Sequence, residues 1–193
     1  MKKIILLTGS SGMVGRNITD HLSAQKYKIL SPTSSDLNLL NYKDILDYIT
    51  FNNPELVINA AGTVGGIEAN MNYPVKFLVN NTQMGLNILM ASKTKKIKRF
   101  LNLGSSCMYP RNAKNPLSED FILKGELEPT NEAYALAKIT STKLCEYITR
   151  EDNSFLYKTI IPCNLYGKYD DFNYDNSHMI PGVIRKIYDA KNK

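Results

Sequence analysis

Four consecutive apolar residues, Ile4 to Leu7, run directly into Thr8-Gly9-Ser10-Ser11-Gly12-Met13-Val14-Gly15, and then into apolar residues at helical spacing, Val14, Ile18 and Leu22. An unbroken apolar run of this length suits a strand buried on both faces, as in a parallel sheet. Strand, glycine turn and helix occur in the order a dinucleotide site requires. Gly9 permits the tight turn, Gly12 lets the backbone approach a pyrophosphate, and Gly15 lets helix and strand pack closely. The helix N-terminus then faces the phosphates. Gly9 to Gly15 are therefore the first candidates for cofactor contact, at three-residue glycine spacing instead of G-x-G-x-x-G.

The rest of the chain repeats the alternation. Residues 27–30, 56–58, 100–103 and 159–161 read as strands, and residues 42–51, 77–90 and the run opened by Thr130-Asn131 as helices. The expected fold is α/β, a doubly wound parallel sheet, whose ligands lie at the strand C-termini where Gly9, Ala60 and Ser105 fall. Residues 108–129, proline-containing and irregular, suit a functional loop over the site. With 193 residues the chain can bury a full core, and no apolar run is of membrane-spanning length. A cytoplasmic protein without a membrane partner is expected. Cys107, Cys145 and Cys163 are too widely spaced for a Cys-x-x-Cys clip, and with only His21 and His178 no metal site is expected. The densest basic run, residues 93–99, falls where a helix ends, so it reads as a solvated face and no nucleic-acid partner is expected.

Tyr134 and Lys138 stand four apart in a run of good helix formers and share one helical face. A free tyrosine, with a pKa near ~10, keeps its proton at neutral pH. An ammonium one turn away is expected to lower that pKa and make the phenol an acid–base group. Ser105, arriving from another strand, could hydrogen-bond the same substrate oxygen. Such a tyrosine–lysine pair is common on solvated helices, so its weight here comes from the glycine turn upstream.

Seven segments in order carry a wider likeness: Gly12-Met-Val-Gly15; Val64-Gly-Gly-Ile67 with Ala69-Asn70 and Tyr73-Pro74; Leu103 to Pro110; Leu127 to Glu132; Tyr134 to Lys138; Pro162-Cys-Asn-Leu-Tyr-Gly167; and Asn176-Ser-His178. On these the chain resembles the extended short-chain dehydrogenase/reductases, and within them the GDP-L-fucose synthase family, over nearly its whole length. The resemblance implies NADP(H)-dependent 3,5-epimerisation and 4-reduction of GDP-4-keto-6-deoxy-D-mannose. A ketone acidifies the C–H bonds beside it, so a base and an acid can exchange those protons through an enolate. By the resemblance Cys107 is the base and His178 the acid, groups that titrate near ~8.5 and ~6.5 when free. Tyr134 protonates the carbonyl oxygen, Lys138 tunes Tyr134 and binds the nicotinamide ribose, and Ser105 holds the keto oxygen.

The same likeness assigns further cofactor contacts to Asp36, Leu37, Ala60, Ala61, Gly62, Leu103, Gly104, Pro162, Asn164, Leu165 and His178. It assigns substrate contacts to Val64, Gly65, Ser106, Cys107, Asn164, Arg185 and Lys186. It divides the chain into a dinucleotide-binding domain at 1–170 and the start of a substrate-binding region at 171–193. It also implies a homodimer through a four-helix interface built from residues 77–90 and 134–147. His21 is expected to be structural, Cys145 and Cys163 to be core, and Asn59 and Asn81 to tie backbone elements together.

Two departures qualify the likeness. Residues 31–36, after the second strand, contain no cation for a 2′-phosphate, and Asp36 would suit a free ribose hydroxyl; Arg16 or a lysine could substitute, and NAD stays open beside NADP. Family members also continue into a smaller domain that closes on the GDP-sugar, so a chain of 193 residues is expected to bind cofactor but turn over little sugar nucleotide. The alternatives are an enzyme of another nucleotide 4-keto sugar, such as a GDP-heptose, and a non-catalytic dinucleotide-binding or dimerising module. A dehydratase is disfavoured, because Ser105-Ser-Cys-Met108 stands where dehydratases of this superfamily carry Thr-Asp-Glu.

Overall fold

A computed structural model describes residues 2–174 and 177–192 of the chain. Five strands, β1 (Ile4–Thr8), β2 (Lys28–Leu30), β3 (Leu56–Asn59), β4 (Arg99–Leu103) and β5 (Leu156–Ile160), form one parallel sheet in the order β2-β1-β3-β4-β5. Six α-helices are present among the described residues: α1 (Met13–Asp20), α2 (Tyr42–Asn52), α3 (Ile67–Asn72), α4 (Pro74–Thr94), α5 (Glu132–Glu151) and α6 (Met179–Lys191). Strand order reverses between β1 and β3, and a crevice opens at such a switch point beyond the strand C-termini. The doubly wound arrangement expected from the sequence is the one observed.

Alternation along the strands sorts the core. Leu6, Val57, Phe100 and Tyr157 pack with Ile45 and Ile49 of α2, Ile88 and Leu89 of α4, and Cys145 and Ile148 of α5. Ile5 and Leu7 point to the other face, where with Ile29 and Ile58 they border a cavity of about 510 Å³ beneath Met13, Val14 and Ile18 of α1. A polar ladder crosses the sheet at the strand ends. Thr8 Oγ1 donates to Asn59 Oδ1 (2.7 Å), Asn59 Nδ2 to Asn102 Oδ1 (3.2 Å), and Asn102 Nδ2 to Thr159 Oγ1 (3.4 Å). These side chains satisfy one another in a buried layer, where an unpaired amide would be costly. Asn59 thus ties strands together through side chains, and Asn81 ties α4 to the following-strand loop by bonding both Thr63 N and Thr63 O.

Helix boundaries follow local chemistry. Asn41 Oδ1 accepts from Lys43 N and Asp44 N to open α2, and Asn53, at φ 44°, closes it in the left-handed region. Pro74 begins α4, where a missing N–H costs nothing. The first helix is shorter than the Val14–Ile18–Leu22 spacing predicts. His21 leaves helical geometry and its Nδ1 accepts from Ser23 N, so a separate 3₁₀ turn follows and Leu22 is 80% exposed. Asn131 occupies the N-cap position of α5 but makes no side-chain cap bond. Asn176 lies outside the described residues.

Helices α4 and α5 approach closely at Gly85, where a Cβ would stand 2.1 Å from Ser141 Oγ and 3.3 Å from Ser141 Cβ. Gly85→Ala is expected to lower the unfolding free energy by about 1–3 kcal/mol, the usual range for an overpacked contact. Adding Ser141→Ala removes the clashing oxygen and recovers most of the loss. Urea unfolding of the two single variants and the double variant checks this.

Candidate active site

The glycine turn fills the crevice at the sheet's switch point. Gly9 has φ +71°, and a Cβ there would lie 2.5 Å from the Ala60 backbone at the end of β3. A Cβ on Gly15 would lie 2.3 Å from Gly9 O, so α1 presses directly on the turn. Gly12 differs: its Cβ would meet only Gly9 O at 3.5 Å, an ordinary contact. Nothing in the protein itself crowds Gly12, and it lines the cleft at the N-cap of α1. That suits a cradle for an anionic pyrophosphate: a helix N-terminus on the cleft, with no side chain at Gly12 in the way.

A cleft of about 780 Å³ runs along the strand ends. It begins at Pro32, Thr33, Ser34 and Leu37 after β2, and passes Gly9, Ser11, Gly12, Met13 and Val14 after β1. It continues past Ala60, Ala61, Gly62, Val64 and Gly65 after β3 to Leu103, Gly104 and Ser105 after β4, with Tyr134 and Lys138 of α5. Pro162, Cys163, Asn164 and Leu165, with His178, complete the wall. From β2 to β4 is three strand spacings of ~4.8 Å, about 14 Å, which suits an extended dinucleotide. The nicotinamide half would lie toward Tyr134 and the adenosine half toward Thr33.

At the β4 end the chemistry converges. Lys138 Nζ donates to Leu103 O (2.9 Å) and lies 5.5 Å from the centroid of the Tyr134 ring, which packs edge-on against Phe77. Ser105 Oγ accepts from Cys107 Sγ (3.1 Å) and from Cys107 N (3.5 Å), which leaves its own proton to donate into the cleft. Burial pushes the Lys138 ammonium down to about 8. It also pushes the Tyr134 phenol above its ordinary value, with Cys107 acting in the same direction. The expected lowering of the Tyr134 pKa therefore does not occur: desolvation disfavours the phenolate, and the ammonium is directed at the Leu103 carbonyl. Tyr134 therefore holds its proton tightly at rest.

Other residues depart from the sequence-based expectations. Cys107 sits in the short 3₁₀ turn Ser106–Met108, half-buried, and neither it nor Ser106 lines the cleft. Burial raises the Cys107 thiol from its ordinary value, against the opposing Ser105 hydrogen bond and Lys138 charge. Cys107 reaches the cleft only through Ser105. Ser10 turns its hydroxyl to Pro32 O (3.2 Å), and Gly15 is a packing position; neither lines the cleft. Asp36 Oδ2 is held by Thr33 N (2.9 Å) and Thr33 Oγ1 (2.7 Å), which draw its carboxyl below the ordinary range, and it too lies off the lining. Arg185 pairs with Asp189 (2.8 Å) on exposed α6, one residue from Lys186, and neither lines the cleft. Cys145 is core as expected, but Cys163 is exposed on the cleft wall. His178 occupies the N-cap position of α6 without a side-chain cap bond, and lines the cleft.

The sequence reading missed Thr33, Ser34, Asn70, Tyr169, Asp170 and Asp171 as lining residues. Thr33 and Ser34 stand in the segment noted for its lack of cations. Asn70, in one of the family segments, reaches the cleft from α3; nothing in residue type marked Tyr169, Asp170 and Asp171, which reach it through the loop after β5.

A parallel sheet reversed at a glycine turn, with a serine, tyrosine and lysine gathered at the next strand end, defines a Rossmann-like dinucleotide-binding domain of the extended short-chain dehydrogenase/reductase type. Residues 5–193 match the NAD dependent epimerase/dehydratase family, and the chain belongs to that family. It is 61% identical over 186 residues to GDP-L-colitose synthase of Yersinia pseudotuberculosis, covering 96% of this chain and 60% of that protein. It is 47% identical over 188 residues to GDP-L-fucose synthase of Azorhizobium caulinodans, covering 97% of this chain and 60% of that protein. Among solved structures, a GDP-D-glycero-L-gluco-heptose synthase from Campylobacter jejuni, crystallised in the presence of NADPH, superposes with a TM-score of 0.91 at 27% identity. That superposition covers 98% of this chain and 56% of the other. The chain thus spans about 60% of the length of the curated relatives it matches.

The buried Lys138 gives a pH signature. Between about 8 and its ordinary 10.5, an unfolded chain carries a proton on Lys138 that the folded chain lacks. Unfolding free energy therefore rises with pH through that window for this group. Relative to Lys138→Met, the wild-type chain is expected to gain stability from pH 8 to pH 10.5. The full effect is about 3 kcal/mol for a shift of that size. Chemical denaturation of both proteins across the window, compared as a difference, checks it.

Proposed function

We propose that this chain carries the cofactor-binding and proton-transfer groups of a GDP-4-keto-sugar 3,5-epimerase and 4-reductase that uses a reduced nicotinamide dinucleotide. The observation that carries the reading is the meeting of Ser105, Tyr134 and Lys138 on one cleft wall, across the strand ends from an open glycine cradle. When bound, the dinucleotide supplies hydride to C4 of the sugar. Ser105 donates its free proton to the keto oxygen and polarises it. Tyr134 delivers the proton that completes the alcohol, and the nearby Lys138 charge stabilises the phenolate left behind. Cys107 and His178 are the groups for proton exchange beside the ketone, with His178 on the cleft wall and Cys107 behind Ser105.

GDP-4-keto-6-deoxy-D-mannose, giving GDP-L-fucose, is the substrate that the sequence likeness implies. The 61% identity to a GDP-L-colitose synthase, against 47% to a GDP-L-fucose synthase, supports a second reading within the same chemistry, a related GDP-4-keto deoxy sugar. The heptose synthase likeness keeps GDP-heptoses within the substrate class. The resemblance implies NADP(H), and NADPH is named with that heptose synthase structure, while the residues at the adenosine end of this chain's own cleft bear on which form it takes.

A homodimer through α4 and α5 is supported by the exposed apolar residues Leu78 and Val79 of α4 and Leu136 and Tyr147 of α5. Among the described residues no helix is long and apolar enough to cross a membrane, and a cytoplasmic location is proposed with the activity. The division at residue 170 is likewise a proposal: beyond it α6 buries only Pro181.

In a form extended to the length of its relatives, Tyr134→Phe is expected to cut ketone reduction by about 10²–10⁴-fold while leaving deuterium exchange from ²H₂O into C3 and C5 of the substrate. Cys107→Ser and His178→Asn are expected to suppress that exchange. Retained exchange in both of these variants would rule out their assignment, and full reduction by Tyr134→Phe would rule out the acid.

A further inference from the structure

At the adenosine end of the cleft the wall after β2 is made of Pro32, Thr33, Ser34 and Leu37. We infer that this wall selects a free ribose 2′-hydroxyl over a 2′-phosphate, so that NADH binds this chain more tightly than NADPH. The inference rests on the dinucleotide reading given under Proposed function and concerns only which form is taken.

The placement of the charged and hydrogen-bonding groups carries it. Among the described residues that line the cleft, Lys138 is the one lysine or arginine, and it is held at the far end on Leu103 O. Arg16, the nearest arginine to the glycine turn in sequence, places its guanidinium 3.7 Å from the centroid of the Tyr169 ring, off the cleft wall. Tyr169 is in turn hydrogen-bonded to Asp20, and Lys168 pairs with the same carboxylate at 3.0 Å. Both of these cations are thereby committed to the Asp20–Tyr169 cluster.

The donors of Thr33 are already directed elsewhere. Thr33 gives both its N–H and its hydroxyl proton to Asp36 Oδ2, and its Oγ1 accepts in turn from Ser35 Oγ (2.7 Å). A 2′-phosphate at Thr33 would meet a hydroxyl oxygen and, behind it, a carboxylate. A ribose hydroxyl differs because it can itself donate, and the second Thr33 Oγ1 lone pair can accept from it. Asp170 and Asp171 also line the cleft and add negative charge. Thr33 and Ser34 are the residues that set the choice: uncharged hydroxyls where a phosphate site requires a forked cation.

The test is a calorimetric titration of the 193-residue chain with NADH and with NADPH at ~0.15 M salt, where distant charges are screened. Competition by adenosine 5′-monophosphate and by adenosine 2′,5′-bisphosphate isolates the adenosine end from the nicotinamide. NADH is expected to bind about threefold or more tighter than NADPH, and the monophosphate tighter than the bisphosphate in the same sense. Ser34→Arg is expected to tighten NADPH by about tenfold with little change for NADH, and Arg16→Ala to leave the wild-type ratio unchanged. Tighter NADPH binding by the wild-type chain, erased by Arg16→Ala, would overturn the inference and show that Arg16 leaves Tyr169 for the phosphate; the dinucleotide reading would stand. Binding of neither form would overturn both.

Discussion

The contact between Gly9 and the end of β3 is the constraint on which the rest of the arrangement depends. At φ +71° the turn folds back so tightly that a single added carbon would overlap the Ala60 carbonyl. That approach sets the separation of β1 and β3 at the one place where the sheet order reverses, and so sets the floor of the cleft. The Thr8–Asn59–Asn102–Thr159 ladder carries the alignment sideways to β4 and β5. Ser105, Leu103 and Pro162 then emerge level with the glycine turn. The geometry of the candidate site is a consequence of strand ends being held in step.

Burial governs the electrostatics more than pairing does. Tyr134 and Lys138 share a helical face, yet desolvation pushes their pKa values in opposite directions, the phenol up and the ammonium down. The usual shorthand, that the lysine lowers the tyrosine, describes a moment after proton donation and not the resting state. A phenol that keeps its proton is ready to act as an acid, and a nearby ammonium rewards its ionisation only once the proton has gone. The same desolvation holds the Cys107 thiol protonated, and the thiol meets the cleft only through the Ser105 hydroxyl.

The fold was legible because its signals are local. The apolar run at Ile4, the glycine spacing, the Asn52-Asn53-Pro54 stop and the alternation of strands and helices each act over a few residues. Tyr134 with Lys138 was legible for the same reason, since four residues on a helix fix a shared face. What escaped the sequence was set by competition at longer range. Asp36 is accessible in principle to a ribose, but Thr33 captures it. Arg16 has the charge a phosphate requires, but an aromatic ring 153 residues later in the chain occupies it. Cys163 reads as a core cysteine by type and becomes a wall residue because the backbone after β5 turns along the cleft. His21 ends α1 early through one hydrogen bond to Ser23 N that the apolar spacing does not reveal.

The central claim is that the glycine turn holds a dinucleotide whose nicotinamide ribose meets Tyr134 and Lys138. A crystal structure of this chain with a bound reduced dinucleotide tests it most directly. The pyrophosphate is predicted to rest on the backbone N–H groups that follow Gly9, with Lys138 Nζ and Tyr134 Oη within hydrogen-bonding distance of the nicotinamide ribose. A dinucleotide bound with its nicotinamide half toward Thr33, or outside the cleft altogether, would contradict the account.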